Sequence, residues 1–139
     1  MPHPIAYLAF DGNCAKAMRF YETALKSRLE ILMDGASSPV AEDIPPDEQH
    51  RIIHARLVLP DGGLLYAGDT PCGMPYVGIK GVSLSLNDDT PEEAQEIFQA
   101  LSEGGSIQVP MQATFWARAF GMLTDRYGTQ WQVNGGLMN

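Results

Sequence analysis

The sequence predicts an α+β fold made of two βαβββ modules whose sheets form a curved mixed sheet around a cavity. Two observations predict this fold. Short apolar runs and one amphipathic helix occur in the same order twice, over residues 1–69 and 79–139. A single unit of this kind leaves one face of its sheet uncovered, so two units must combine to bury it. We therefore expect one domain over residues 1–139, with a linker at 70–80.

The first module reads as a strand, a helix and three further strands. An amphipathic stripe predicts the helix from Cys14 to near Ser27, with Asn13 as its N-cap. Residues 34–50 are rich in Gly, Ser, Pro and acids and predict a long loop. The turn residues at 60–63 predict a hairpin. The strands are predicted over residues 5–10, 29–33, 51–59 and 64–68.

The second module repeats this order with a stronger helix start. Thr90 and Glu93 have the spacing of a capping box, and Pro91 takes the first helical position, where a missing N–H costs nothing. Gly104 and Gly105 end the helix. The strands are predicted over residues 82–86, 107–114, 118–124 and 131–134, with a tight turn at 125–128 joining the last two.

Composition excludes several classes of partner. The net charge of −8 and a pI near 4.6 predict a surface that repels phosphate backbones and anionic lipids, so we expect no nucleic-acid partner. No run of about 18 apolar residues is present to span a bilayer. The start of the sequence lacks the features of a signal peptide, which favours a cytoplasmic protein. Cys14 and Cys72 are therefore expected to be free thiols rather than a disulfide.

Three stretches of the chain carry the motifs of a known family. They are Phe10–Ala15 followed by Phe20 and Tyr21, His54–Leu57 with Asp69, and the C-terminal set Phe115–Gly121, Thr124–Gly128 and Trp131–Asn134. Together they resemble the PhnB-like branch of the vicinal oxygen chelate superfamily, which includes glyoxalases, bleomycin-resistance proteins and extradiol dioxygenases. Arg126 departs from the branch, which usually has proline there. The resemblance implies the glyoxalase/bleomycin-resistance fold over nearly the whole chain.

The resemblance also implies a metal centre, which the residues here do not supply. In the superfamily a divalent metal is held by His, Gln or Glu on the first and last strand of each module. Those predicted strands contain no His, Asp or Glu, and their only plausible oxygen donors are Gln132 and Asn134. Neutral amides alone seldom hold a transition metal. His50 and His54 are too far apart on a strand, at about 13 Å, to share one metal. We predict no metal and no other cofactor.

His54 and an aromatic set are the candidate ligand-binding residues. His54 could point into the cavity as a base or hydrogen-bond donor, or else face solvent. The aromatic residues could line the cavity or fill the core. Trp116 and Arg118 should share a side and could hold an anion, unless Arg118 pairs with a surface carboxylate. The predicted ligand site is His54, Tyr66, Phe115, Trp116, Arg118, Trp131 and Asn134, with no catalytic residue assigned.

Two aspartates and one cysteine have structural interpretations. Asp125 begins the turn before Gly128, and Asp69 ends a strand, so both are predicted to accept hydrogen bonds from nearby backbone N–H groups. Cys14 follows a helix N-cap, where the helix dipole lowers a thiol pKa. Since no histidine accompanies it, we interpret Cys14 as a small buried residue.

The favoured function is binding of a small molecule between the modules of a metal-free, homodimeric protein. The alternative is a metal-dependent lyase, isomerase or dioxygenase of the glyoxalase class, with a metal held by residues such as His54 and Gln132 or by a partner chain. The branch also carries the label of a ubiquinone-pathway methyltransferase, but no Gly-rich loop of a dinucleotide-type fold is present to hold S-adenosylmethionine. The sequence leaves open whether the protein is an enzyme.

Overall fold

The repeated topology predicted above is confirmed in both halves of the chain. The computed structural model describes residues 2–71 and 73–138. The chain divides into two compact units, Met1–Gly78 and Ile79–Asn139, and the described part of each contains one α-helix and one four-stranded mixed sheet. This is the expected α+β fold. The prediction that the two sheets curve together around a shared cavity stays a prediction.

In the first unit the helix packs on a sheet whose first strand pairs with its last. The elements are β1 (Tyr7–Phe10), α1 (Cys14–Ala24), β2 (Arg28–Asp34), β3 (Ile52–Val58) and β4 (Leu64–Asp69). The strand order is β1-β4-β3-β2, with β1 parallel to β4 and the other pairs antiparallel. The predicted loop between β2 and β3 contains two short 3-10 turns, Ala41–Asp43 and Pro46–Glu48.

The second unit repeats the arrangement. Its elements are β5 (Leu84–Asp88), α2 (Pro91–Ser102), β6 (Ser106–Gln112), β7 (Ala117–Thr124) and β8 (Gln130–Leu137). The order is β5-β8-β7-β6, and β5 is parallel to β8. β8 ends three residues later than predicted because its pairing with β7 continues to Leu137, which lies opposite Ala117.

Each helix covers one face of its own sheet and leaves the other face uncovered by that helix. The largest fully buried side chains include Tyr21 and Met18 of α1 and Leu101 of α2. A Cβ at Gly121 would lie 2.5 Å from Cε2 of Phe98. This close approach shows that Gly121 faces α2. Because side chains alternate along a strand, the even-numbered residues of β7 point to the opposite face.

The two helix starts differ from each other in what caps them. Thr90 Oγ1 accepts a hydrogen bond from the backbone N–H of Glu93 at 3.2 Å, which confirms the predicted cap of α2. Asn13 occupies the N-cap position of α1, but its side chain makes no capping bond. The predicted N-cap position is therefore confirmed, but the side chain that accepts N–H groups there is that of Asp69, at the end of β4.

The helix α1 ends earlier than its apolar stripe predicted. It stops at Ala24, and Lys26 adopts a positive φ of 51° that no helix can continue through. The N–H of Ser27 donates to the carbonyl oxygen of Glu22, which closes the helix end. Among the described residues, no helix is long and apolar enough to cross a membrane.

Candidate functional site

Three aromatic side chains meet on the face of the first sheet that α1 does not cover. His54 on β3 lies edge-on to Tyr66 on β4, with ring centroids 5.1 Å apart. Tyr7 on β1 stacks near-parallel to His54 at 6.1 Å and meets Tyr66 edge-on at 6.5 Å. The structure thus brings together two of the predicted site residues. Sequence reasoning missed Tyr7, although it alternates with the buried Leu8 and Phe10 and so had to face the other way.

A cavity of about 520 Å³ lies within the first unit, and Tyr7 forms part of its wall. Its walls come from three of the strands, the loop before β3 and the segment that follows β4. Most of these residues are apolar or aromatic. They are Tyr7, Ala9, Gly35, Ile44, Glu48, Arg51, Ile52, Ile53, Gly68, Asp69, Thr70, Pro71, Met74, Pro75, Tyr76, Val77 and Gly78.

Tyr7 is held in the cavity wall by its hydroxyl group. The hydroxyl donates to the carbonyl oxygen of Ile53 at 3.1 Å. It also passes so close to Gly68 that a Cβ there would lie 2.6 Å from it, so the glycine provides the space for the phenol. Burial, and then the Cys14 thiol, raise the pKa of Tyr7 above its ordinary value. The phenol is therefore neutral at physiological pH.

The charged groups in the cavity wall are already paired with protein partners. The Arg51 guanidinium lies 3.0 Å from Asp11 Oδ1 and 3.4 Å from Glu48 Oε2, and it donates to the carbonyl oxygen of Thr70 at 2.9 Å. Its side chain is only 19% exposed. A charged ligand would have to compete with these contacts for Arg51.

Asp69 is the third charged residue of the wall, and it organises the backbone around the cavity. Its Oδ1 accepts the N–H groups of Gly12 at 2.7 Å and Cys14 at 3.1 Å, and its Oδ2 accepts that of Ile52 at 2.7 Å. One carboxylate therefore ties the β1–α1 turn to the start of β3. The prediction that Asp69 caps backbone N–H groups is confirmed, but two of its partners lie 55 and 57 residues away.

Cys14 is inert in this position. Burial, and then the negative charge of Asp69, raise the pKa of its thiol to about 12. The thiol is protonated at neutral pH and is a poor nucleophile. The interpretation of Cys14 as a small buried residue is confirmed by its fully buried position. The alternative of a disulfide with Cys72 involves a residue outside the described part of the chain.

The second unit carries a row of amide and hydroxyl side chains on β5, on β8 and at the residue just before β5. We call it the amide row, and it consists of Ser83, Ser85, Asn87, Gln132 and Asn134. Asn134 is at its centre. Its Nδ2 donates to Asn87 Oδ1 at 3.0 Å and to Ser85 Oγ at 3.4 Å, and its Oδ1 accepts from Trp116 Nε1 at 3.1 Å. The structure thus joins Trp116 and Asn134, two predicted site residues.

The amide row does not fit a divalent metal. It offers uncharged amides and hydroxyls, and Gln132 and Asn134 are bonded to serine and asparagine neighbours. Within residues 2–71 and 73–138, no group of three or more His, Cys, Asp or Glu lies close enough together to hold a metal ion. No chemical step through a metal can be derived from these side chains.

The three remaining predicted site residues differ in their surroundings. Phe115 is 89% exposed and touches Trp116 edge-on at 4.7 Å. Arg118 is exposed and borders a shallow groove beside the start of α2. Trp131 is 2% exposed, and its Nε1 donates to Asp125 Oδ2 at 2.8 Å, so it belongs to the core of the second unit and cannot contact a ligand.

Asp125 has the predicted turn-capping role. Its Oδ1 accepts the N–H groups of Tyr127 at 2.8 Å and Thr129 at 3.2 Å. The same carboxylate anchors the buried indole of Trp131. Asp69 and Asp125 thus have matching roles in the two units, since each fixes a loop at the end of a strand.

Comparison with known proteins identifies the relatives of this chain. It is 30% identical to the Escherichia coli K12 protein YjdN over 92% of this chain and 91% of that protein. It is 45% identical to the solved structure of PA1353 from Pseudomonas aeruginosa, with a TM-score of 0.88 and coverage of 96% of this chain and 97% of that one. A PhnB protein from Bacillus cereus is 26% identical, with a TM-score of 0.77 and coverage of 96% and 98%.

A more distant structure extends the likeness at the level of fold alone. A glyoxylase/bleomycin resistance protein/dioxygenase domain from Frankia is 13% identical, with a TM-score of 0.67 over 97% of this chain and 98% of that one. The family model described as 3-demethylubiquinone-9 3-methyltransferase matches residues 3–134. The chain therefore belongs to this PhnB-like family, which has the glyoxalase/bleomycin-resistance fold.

Proposed function

We propose that this protein binds a small, uncharged and largely apolar or aromatic molecule in the cavity of its first unit, without a metal ion. The observation that carries the proposal is the cavity of about 520 Å³ with mostly apolar walls. Ligand pockets typically have volumes of about 300–1,000 Å³ and a few fixed polar groups among apolar walls. The Tyr7 hydroxyl and the paired Arg51 are such groups here.

The aromatic cluster next to the cavity supports a flat ligand. Tyr7 belongs both to the cavity wall and to the cluster with His54 and Tyr66, so a ligand stacked on Tyr7 would lie near both. Offset or edge-on contacts between aromatic rings contribute about 0.5–1.5 kcal/mol beyond the area they bury. We therefore propose that His54 and Tyr66, which the sequence predicted as ligand-binding residues of a cavity between the modules, contact the ligand here.

The segment after β4 supplies apolar contacts that are otherwise hard to explain. Met74 is 61% exposed and Val77 is 73% exposed, although both are large apolar residues in the cavity wall. Exposed apolar surface that surrounds a concave site is typical of a binding region. A bound molecule would cover these side chains and remove their apolar surface from water.

A pair of valine substitutions tests the location of the site. Val77→Asp introduces a charge into the cavity wall, whereas Val82→Asp changes a valine that is 59% exposed and lies outside the wall. The probe is 1-aminoanthracene, a neutral flat fluorophore, titrated into each protein while its fluorescence is measured. We expect Val77→Asp to weaken its binding roughly tenfold or more, because the apolar dye would be placed against a carboxylate.

The Val82→Asp control shows whether a loss of dye binding is specific to the cavity wall. Val82→Asp should retain the affinity of the unmodified protein, and both variants should keep the same circular dichroism spectrum. Equal affinities in the two variants would place any dye binding outside this cavity and would overturn the proposal.

A further inference from the structure

We infer that the amide row of the second unit is a separate hydrogen-bonding site for an uncharged ligand that carries an amide edge, with Trp116 as its aromatic wall. An amide edge means neighbouring N–H and C=O groups, as in a lactam or a nucleobase. This inference concerns residues other than the first-unit cavity and does not depend on the proposed function.

Strand geometry places the members of the row side by side. β5 and β8 are parallel neighbours, with Ser85 opposite Gln132 and Asn87 opposite Asn134. Alternate residues of one strand share a face and are about 7 Å apart. Phe120 on β7 lies opposite Asn134 and adds an aromatic ring to this face. The row therefore offers several polar groups over the length of a small planar molecule.

The internal hydrogen bonds leave specific groups available to a ligand. Asn134 is buried and uses both its amide N–H groups and its oxygen within the row. The exposed Asn87 only accepts, so its own amide N–H groups have no acceptor within the described residues. Gln132 donates to Ser83 through Nε2, which leaves its Oε1 as an available acceptor. The row thus presents both donors and acceptors to a ligand, as an amide edge requires.

Because the side chains of the row carry no charge, they indicate the chemical class of the ligand. A carboxylate or phosphate binds best to Arg, Lys or backbone nests, and a divalent metal needs charged or imidazole ligands. The row has only amides and hydroxyls, so it matches an uncharged polar group best.

Trp116 gives the site a preference for planar ligands. Its indole N–H is fixed by Asn134, and its ring is held edge-on by Phe115 at 4.7 Å and by Phe120 at 5.1 Å. The indole is half-buried and therefore partly accessible. A planar ligand could therefore stack on the Trp116 ring while its amide edge forms hydrogen bonds with the amide row.

Side-chain amide signals in nitrogen-15 NMR spectra test the inference directly. The probes are uracil, which is planar and aromatic, and δ-valerolactam, which has the same amide edge without an aromatic ring. We expect both to shift the side-chain amide signals of Asn87 and Asn134 in a saturable way. Binding of uracil alone would still support the site and would assign it to planar bases rather than to simple lactams.

Matched variants distinguish the row from the rest of the protein. Asn87→Ala removes the available donor and should weaken uracil binding about fivefold or more, as expected for the loss of one or two hydrogen bonds. Gln108→Ala removes an exposed amide on β6, at the other edge of the same sheet, and should leave binding unchanged. Val77→Asp should also leave it unchanged, which separates this site from the first-unit cavity.

Three outcomes would overturn the inference. They are the absence of any saturable shift with either probe, an equal response in Asn87→Ala and the unmodified protein, and stoichiometric binding of Zn²⁺ or Ni²⁺ that shifts the signals of the row.

Discussion

At the scale of single residues, Asp69 organises the backbone around the cavity, although the sequence did not place it among the predicted ligand-binding residues. It is 9% exposed and accepts three backbone N–H groups from two separate parts of the first unit. Sequence reasoning identified Asp69 only as a local cap, because partners 55 and 57 residues away leave no signal in the neighbouring residues.

Asp69→Asn should destabilise the protein with little change in shape. The new amide keeps one oxygen but presents N–H groups to one of its three donors, which leaves a backbone N–H unpaired. We expect the free energy of unfolding, measured by urea denaturation, to fall by about 1–3 kcal/mol. The control is Asp61→Asn, which alters an exposed carboxylate in the β3–β4 hairpin. A loss no greater than that of the control would contradict the assigned role.

The residue scale also shows why one member of the predicted site was misplaced. Trp131 and Asn134 are three positions apart on one strand, and residues an odd number apart point to opposite faces of a sheet. Both could not line the same site. Asn134 lies in the amide row with Trp116, whereas Trp131 is in the core with Asp125. The alternation was available in the sequence, but which face α2 would cover was not.

At the scale of elements, local patterns predicted most of the fold. The side-chain cap at Thr90 and the turn at Asp125 are confirmed, and their hydrogen-bond partners lie within a few residues. The end of α1 was predicted too late because the residue that takes the left-handed conformation there is Lys26. A glycine at this position would have indicated the helix end in the sequence. Caps and turns that depend on residues close in sequence could therefore be predicted. Features that depend on tertiary contacts could not.

The packing of α2 on its sheet depends on the missing side chain at Gly121. A Cβ there would lie 2.5 Å from Phe98 Cε2 and 2.8 Å from Met111 Sδ. We expect Gly121→Ala to lower the free energy of unfolding by about 1–3 kcal/mol, because overpacking moves side chains out of their preferred rotamers. Thermal and urea unfolding would measure the change.

Gly63→Ala is the matched control for that substitution. The nearest atom there, Asp61 Oδ1 at 3.1 Å, belongs to an exposed side chain that can move aside. We expect a smaller effect at Gly63. If the two variants were equally stable, the helix–sheet contact would not be as tight as the structure indicates.

At the scale of the whole molecule, the net charge and the donor chemistry have opposite consequences for metal binding. The net charge of −8 favours cations in general, but attraction alone does not make a metal centre. A centre needs charged or imidazole ligands that converge on one point. The homodimer and the cytoplasmic location stay predictions from the sequence.

Metal retention is the prediction that separates the binding protein from the glyoxalase-type enzyme. After incubation with Ni²⁺, Zn²⁺, Mn²⁺ or Fe²⁺ and desalting, we expect substoichiometric metal by elemental analysis, because the amide row supplies only neutral donors. His54→Ala should leave that result unchanged, since His54 contacts two tyrosine rings rather than a second metal-binding side chain. Retention of one metal per chain that is lost in His54→Ala would instead favour a lyase, isomerase or dioxygenase with a metal at His54.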